Sequence, residues 1–326
     1  MLAMRCGFTQ YQNGAMAILF AAVLWGTTGV AASFAPDISP LGIGAFAMGV
    51  GGMMQAALAH RKLKANLANL LQQKALLLLS ALALAIYPLA FYSSMRMAGV
   101  AVGTVVSIAS APLFSALLEC LFSKALHLTK RWLISVLIGL FGIALLAYRE
   151  PQASALATDV AVNLQQQAAQ QRQLWGIALG LLAGLTYAFY SWAARSMIDS
   201  GVHSQAAMGS IFGLGAMLLL PSLFFTGDNL FSSPANALVS LYMAVIPMTL
   251  GYFAFGYGLR HVKASSASLL TLMEPVVAAI LAVLIIGEVI SPMGWFGMLL
   301  IMLCLIAQAT EKPPGVPVAI ERSATT

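Results

Sequence analysis

Ten segments of about twenty mostly apolar residues follow one another along this chain of 326 residues, each long enough to cross a bilayer's hydrocarbon core as a helix. They fall at 14–34, 39–59, 74–95, 99–122, 131–149, 174–194, 203–226, 238–260, 264–287 and 291–310. The fold class expected is therefore an all-α integral membrane protein with ten transmembrane helices. Charged residues are only 8% of the chain and hydrophobic ones 60%, too little charge to keep the surface of a soluble fold of this length in water. Polar punctuation marks many of the breaks: Pro36-Asp37, Thr129-Lys130-Arg131, Gly227-Asp228-Asn229 and Ser291-Pro292. The last reads as an N-cap followed by proline at the first helical position. Ala31-Ala32-Ser33 resembles a signal-peptidase site, but a single charge at Arg5 and the length of the first segment favour a retained span.

The net charge of +6 invites a nucleic-acid reading, which the placement of the charges rejects. With the N-terminus in the cytoplasm, Arg5, Arg61, Lys62, Lys64, Lys74, Lys124, Lys130, Arg131, Arg195, Arg260, Lys263, Lys312 and Arg322 all lie on the cytoplasmic side. Only Arg96, Arg149 and Arg172 lie opposite. Such an excess of Lys and Arg sets orientation, so both termini are expected in the cytoplasm of a multi-pass protein of the cytoplasmic (inner) membrane. The stretch 150–173, with Gln165-Gln166-Gln167 and Gln170-Gln171, reads as a flexible linker on the outer side, and 311–326 as a disordered cytoplasmic tail.

Cys6, Cys120 and Cys304 are isolated, so neither a disulfide framework nor a metal site is expected, and no cofactor is implied. The sequence holds no G-x-x-x-x-G-K-[ST] phosphate loop to drive a pump, and no His-Glu-x-x-His to make a protease. A membrane-embedded enzyme and a facilitative channel or uniporter are the alternatives to a carrier.

The two halves of the chain resemble each other. Pro112 and Pro275 lie 163 positions apart, as do Trp132 and Trp295, without a gap. A shift of 162 pairs Gly14 with Gly176 and Trp25 with Tyr187. The halves are 14–149 and 174–310, each with five spans. An odd number of spans sends the second half into the membrane from the opposite side. Two inverted five-helix repeats around a shared midplane site are a recurring plan of secondary transporters.

Leu24-Trp25-Gly26-Thr27-Thr28 in the first span and Glu274-Pro275 followed by Gly287-Glu288 in the ninth resemble signatures of the drug/metabolite transporter superfamily, in its EamA-type ten-helix branch. The resemblance runs over roughly 14–310. The first half departs from it, with Lys124-Ala125 at the Gly-Glu positions and Phe46-Ala47-Met48 where an arginine is often found. The resemblance implies an alternating-access carrier of small metabolites such as amino acids, commonly an exporter, with a central cavity lined by both halves.

Candidate site residues follow from the limits a membrane interior sets. His60, His127, His203, His261, Asp37, Asp159, Asp199 and Asp228 all fall at span ends or in connections, whereas Glu274 stands near the middle of a span. An ionisable group there is by default functional. Its two functional readings are proton coupling and contact with a substrate ammonium; the structural alternative is a protonated glutamate bonded near the Pro275 kink. Trp25, Thr28, Tyr87, Phe91, Tyr187 and Tyr252 are candidates to line a cavity with ring faces and hydroxyls, and Ser110 and Thr271 to add polar contacts from helices 4 and 9. Their alternative is helix packing or an interfacial aromatic belt. Tyr92, Tyr190 and Tyr257, nearer span ends, read as belt or cavity alike. Glu119 is expected to snorkel or to pair near Lys124, Glu288 to bond the start of the tenth span or a nearby arginine as a gate or a structural clip, and Gly176, Gly180 and Gly184 to form a close-packing face. The expected partners are a small-molecule substrate and membrane lipid, with the chain as a monomer or homodimer.

Overall fold

A backbone in hydrocarbon has no water to bond to, so each spanning segment satisfies its own N–H and C=O groups as a helix. The structure is a computed structural model describing residues 9–98, 100–122, 129–146, 160–287 and 289–310; among these residues there is helix and no strand. The long helices are α1 (Gln10–Ser33), α2 (Pro40–Leu58), α3 (Lys74–Ala98), α4 (Val100–Phe122), α5 (Lys130–Leu146), α6 (Val160–Asp199), α7 (Ser204–Thr226), α8 (Pro234–Gly258), α9 (Ala264–Ile286) and α10 (Pro292–Ala309). Nine of these are long and apolar enough to span, and α5 has 17 described residues. Large apolar side chains such as Leu78, Leu137, Leu238 and Leu299 stand exposed on the outer face of the bundle, where lipid replaces water as their neighbour.

Local chemistry sets several helix ends. Ser39, Ser233 and Ser291 each cap a helix whose first residue is proline, accepting N–H bonds from Gly42 (3.0 Å), Asn236 (3.1 Å) and Gly294 (3.1 Å). The Ser291-Pro292 start was legible in the sequence. α9 is interrupted: Ala264–Leu270 and Met273–Leu281 are joined by a turn at Thr271 and Leu272. Pro275 has no N–H for the Thr271 carbonyl, which takes that of Glu274 instead at 2.9 Å. The helix ends in a π turn, Ala282–Ile286, and Gly287 at φ 80°, a left-handed position that glycine adopts without a Cβ penalty. α8 carries Pro247 inside a π-helical stretch, Ala244–Gly251.

One expectation changes, and Glu119 is found with a further partner. The linker read over 150–173 is helical from Val160 and continuous with α6, a helix of 40 residues; 147–159 lies outside the described residues. Glutamine, alanine and leucine are good helix formers, and a span already nucleated propagates into them. Glu119 bonds to α9: its carboxylate accepts the Ser265 N–H at 3.0 Å and the Ser265 hydroxyl at 2.7 Å. Lys263 precedes α9 without a side-chain cap, so Glu119 supplies from α4 the acceptor that the helix start lacks. Lys124, like Glu288, His127, Asp159 and the tail 311–326, lies outside the described residues.

The helices pack in pairs that close-fitting glycines record. α2 runs antiparallel to α7, with Gly42 against Thr226, Gly52 against Phe212 and Gly209 against Ala59. α4 runs antiparallel to α9, joined by Ser115 and Ser268 at 2.8 Å and by Glu119 and Ser265. α5 runs antiparallel to α10, with Gly139 against Cys304, Gly142 against Gly297, and Arg131 donating to Thr310 at 2.6 Å. α3 packs along α6, where Gly176 and Gly180 meet Ala98 and Ser94, so the glycine stripe is used inside the chain. α1 packs along α8. Exchanging the first five helices with the last five carries the α3–α6 pair onto α8–α1 and leaves the other three pairs unchanged.

Candidate functional site

Between these pairs lies a recess with about 530 Å³ of atom-free space, counting its opening. α1 contributes Trp25 and Thr28; α2, Gly44, Ala47 and Met48; α3, Tyr87, Pro88, Phe91 and Tyr92. From the second half come Tyr187 of α6, Met248 and Tyr252 of α8, and Glu274 of α9. Seven of the nine residues singled out in the sequence therefore meet in one place: Trp25, Thr28, Tyr87, Phe91, Tyr187, Tyr252 and Glu274. They come from five helices, which no local pattern connects.

The rings form a continuous wall. Trp25 lies 4.5 Å from Tyr252 between centroids, and Tyr87 lies 5.8 Å from Phe91 and 5.7 Å from Tyr187. Trp25 is held by its indole N–H, which donates to the Pro247 carbonyl at 3.0 Å within the π-helical stretch. Thr28 donates to the Trp25 carbonyl at 2.7 Å. The Tyr187 hydroxyl is buried beside those of Thr271 and Ser191, with no hydrogen bond of good geometry to either. Glu274 opens the second segment of α9, and its half-buried carboxyl faces the recess. Among the described residues neither a hydrogen bond nor an ion pair engages it, and no Lys, Arg or His lines the recess.

Two candidates stand apart from the recess. Ser110 donates to the Ser107 carbonyl at 3.3 Å and packs where Gly184 of α6 leaves room. Thr271 is buried and donates to the Ser268 carbonyl at 2.8 Å. Both hydroxyls are taken by their own helix, as serine and threonine within a span commonly are. Gly44, Ala47, Met48 and Met248 also line the recess, and their small or apolar side chains carry no chemical signal in the sequence. Gly44 matters by lacking a side chain: the Tyr92 ring occupies the space that a Cβ would fill. Of the three tyrosines read as belt or cavity, Tyr92 lines the recess, Tyr190 is fully buried and Tyr257 is exposed.

A second recess, about 420 Å³ counted the same way, lies toward the C-terminal ends of α2 and α8. Gln55, His203, Met208, Gly256, Tyr257 and Arg260 are among its lining. A buried layer separates the two: Tyr190 and Tyr252 share a hydroxyl bond of 2.9 Å, Phe212 lies 4.4 Å from Tyr252, and Gln55 donates to the Met248 carbonyl at 3.1 Å. Nearby, Arg195 pairs with Asp199 at 2.8 Å and donates to the carbonyls of Leu259 and Val262, securing the end of α8.

A multi-pass bundle in which two sets of five helices enclose a recess has the build of a membrane transporter. The model of the EamA-like transporter family matches residues 12–148 and 174–307, one stretch in each half, and the chain belongs to that family. It is 33% identical over 292 residues to a Bacillus subtilis (strain 168) protein named uncharacterized transporter YwfM, covering 89% of this chain and 91% of that one. It is 25% identical over 304 residues to the uncharacterized inner membrane transporter YicL of Salmonella typhimurium, covering 90% and 94%. A crystal structure of another protein superposes with a TM-score of 0.69 at 16% identity, over 91% of this chain and 94% of that one, which speaks to the fold alone.

Proposed function

We propose that this protein is a secondary carrier of small metabolites, amino acids and their derivatives among them. It works by alternating access in the cytoplasmic membrane with both termini inside, and its net direction is export. The observation that carries this reading is the pair of recesses at different levels along α2 and α8, separated by the buried layer of Tyr190, Phe212, Tyr252 and the Gln55–Met248 bond. A carrier needs one site reachable from either side in turn, and a movable layer between two vestibules supplies it. The antiparallel packing of α2 with α7, α4 with α9 and α5 with α10 supports two inverted halves, since equivalent helices of such halves point in opposite directions. Two halves of similar make give inward-open and outward-open states of similar energy. Trp25, Thr28, Tyr87, Phe91, Tyr187 and Tyr252 are read as substrate contacts, and Glu274 as the group that exchanges a proton or holds a substrate ammonium.

The test is counterflow in proteoliposomes loaded with unlabelled solute and screened across amino acids and their derivatives, with and without a pH gradient. A carrier shows saturable uptake of label that is accelerated by solute on the far side. Flux that neither saturates nor responds to far-side solute would make the protein a channel. Vesicles of defined orientation then give the direction.

A further inference from the structure

Glu274 is an acid near the middle of the span Ala264–Ile286 for which the described residues provide no countercharge. A carboxylate in such a place is neutralised either by a proton or by a cation, and here either must arrive from outside the protein. Only one can occupy the carboxylate at a time. Trp25, Tyr87, Tyr187 and Tyr252 line the recess with it, and a ring face attracts an ammonium through its quadrupole.

The recess has nothing comparable for an anion. Among the described residues no Lys, Arg or His lines it, and α1 and α2 contribute Trp25, Thr28, Gly44, Ala47 and Met48. The start of the second α9 segment would attract a carboxylate if its N–H groups were free. In its first turn the Glu274 N–H is taken by the Thr271 carbonyl and Pro275 has none, and an incoming carboxylate would meet the like charge of Glu274 there. The ionisable groups facing Glu274 from the other packed elements are Tyr87 and Tyr92 of α3, Tyr187 of α6 and Tyr252 of α8, none of them cationic.

We propose that the recess selects a protonated amine with a flat apolar body, held by Glu274 and the surrounding rings in competition with a proton, and that it discriminates against the corresponding amino acid, whose carboxylate finds no partner there. This narrows the substrate class of the carrier reading and rests on the recess being its binding site.

Isothermal titration calorimetry of the purified full-length protein in detergent tests it with three probes: 2-phenylethylamine, L-phenylalanine and 3-phenylpropionate. The amine is expected to bind. L-Phenylalanine should bind at least about tenfold more weakly, and 3-phenylpropionate should give no heat of binding. Amine affinity should fall as the pH is lowered, and buffers of different ionisation enthalpy should reveal proton release on binding. Glu274→Gln should abolish amine binding, whereas Glu274→Asp, which keeps the charge, should retain it, with both variants eluting as monodisperse protein. L-Phenylalanine binding as tightly as the amine would overturn the proposal, and so would unchanged amine binding by Glu274→Gln. Protein that performs counterflow of another solute but binds no amine would overturn the proposal and leave the carrier reading standing. Protein that binds with the stated preferences but shows no counterflow supports the site and removes the carrier reading.

Discussion

The Glu119–Ser265 contact is the most exposed consequence of the fold, because the sequence alone points Glu119 toward Lys124. The carboxylate accepts two bonds from one residue of α9, an N–H at 3.0 Å and a hydroxyl at 2.7 Å. Ser265→Ala removes the second only. Glu119→Gln keeps the shape but removes the charge, weakening both bonds and the interaction with the start of α9. A hydrogen bond to a charged group contributes about 1.5–3 kcal/mol in soluble proteins, whereas bonds between membrane helices average about 0.6 and reach about 1.7. For a half-buried carboxylate at a helix start, the expected cost of Ser265→Ala is about 1 kcal/mol, with Glu119→Gln larger by the helix-end contribution of about 0.3–1 kcal/mol. Reversible unfolding by SDS in mixed micelles, run on both single variants and the double, gives the coupling between them; since a glutamine still accepts a weaker bond from Ser265, about 0.5 kcal/mol is expected, roughly twofold in the unfolding equilibrium. Coupling below about 0.3 kcal/mol, the scatter of independent sites, would refute the assignment. The same cycle with Lys124→Ala measures the pairing suggested by the sequence; coupling there and not at Ser265 would restore it.

Three further outcomes rest on the same structure. A Cβ at position 52 would lie 2.5 Å from the Phe212 carbonyl, so Gly52→Val should force α2 and α7 apart and destabilise the protein by about 1–3 kcal/mol in the same unfolding assay. Tyr190→Phe should cost about 1–2 kcal/mol by leaving the buried Tyr252 hydroxyl unpaired, while the Tyr190→Phe/Tyr252→Phe double variant should recover most of that loss. His203 accepts the Gln205 N–H through Nδ1 at 3.2 Å at the start of α7, and partial burial, then Lys62 and Arg260, hold its pKa below the ordinary 6.5. Its neutral form is the one that caps, so this contribution is complete above pH 6.5 and is lost as the pH falls through the lower folded value. His203→Asn caps without titrating, and melting curves of the two proteins should diverge below pH 6.5, with the wild type losing more.

Much of the architecture was legible before any packing was known, because hydrocarbon imposes its demands locally. Span length, the helical state of the described spans and the Ser291-Pro292 start all follow from short stretches of sequence. The candidate site was half legible for a related reason. A glutamate or a cluster of rings inside a span is conspicuous, so Glu274, Trp25, Tyr87, Tyr187 and Tyr252 could be named one by one. Gly44, Ala47 and Met48 could not, since a small or apolar residue looks the same whether it faces a cavity, a neighbouring helix or lipid.

By itself, then, the sequence determined what each segment must be and which side chains are costly in a membrane. The tertiary structure decided which of them meet. It turned Ser110 and Thr271 onto their own helices, gave Glu119 to Ser265 and brought residues of both halves around Glu274. The physical reason is that an all-apolar helix has no preferred face in its own sequence. In lipid its orientation is set by close fit and by single interhelical bonds, such as the contact of Gly52 with Phe212 and the bond from Trp25 to Pro247, and these exist only once the partner helix is in place.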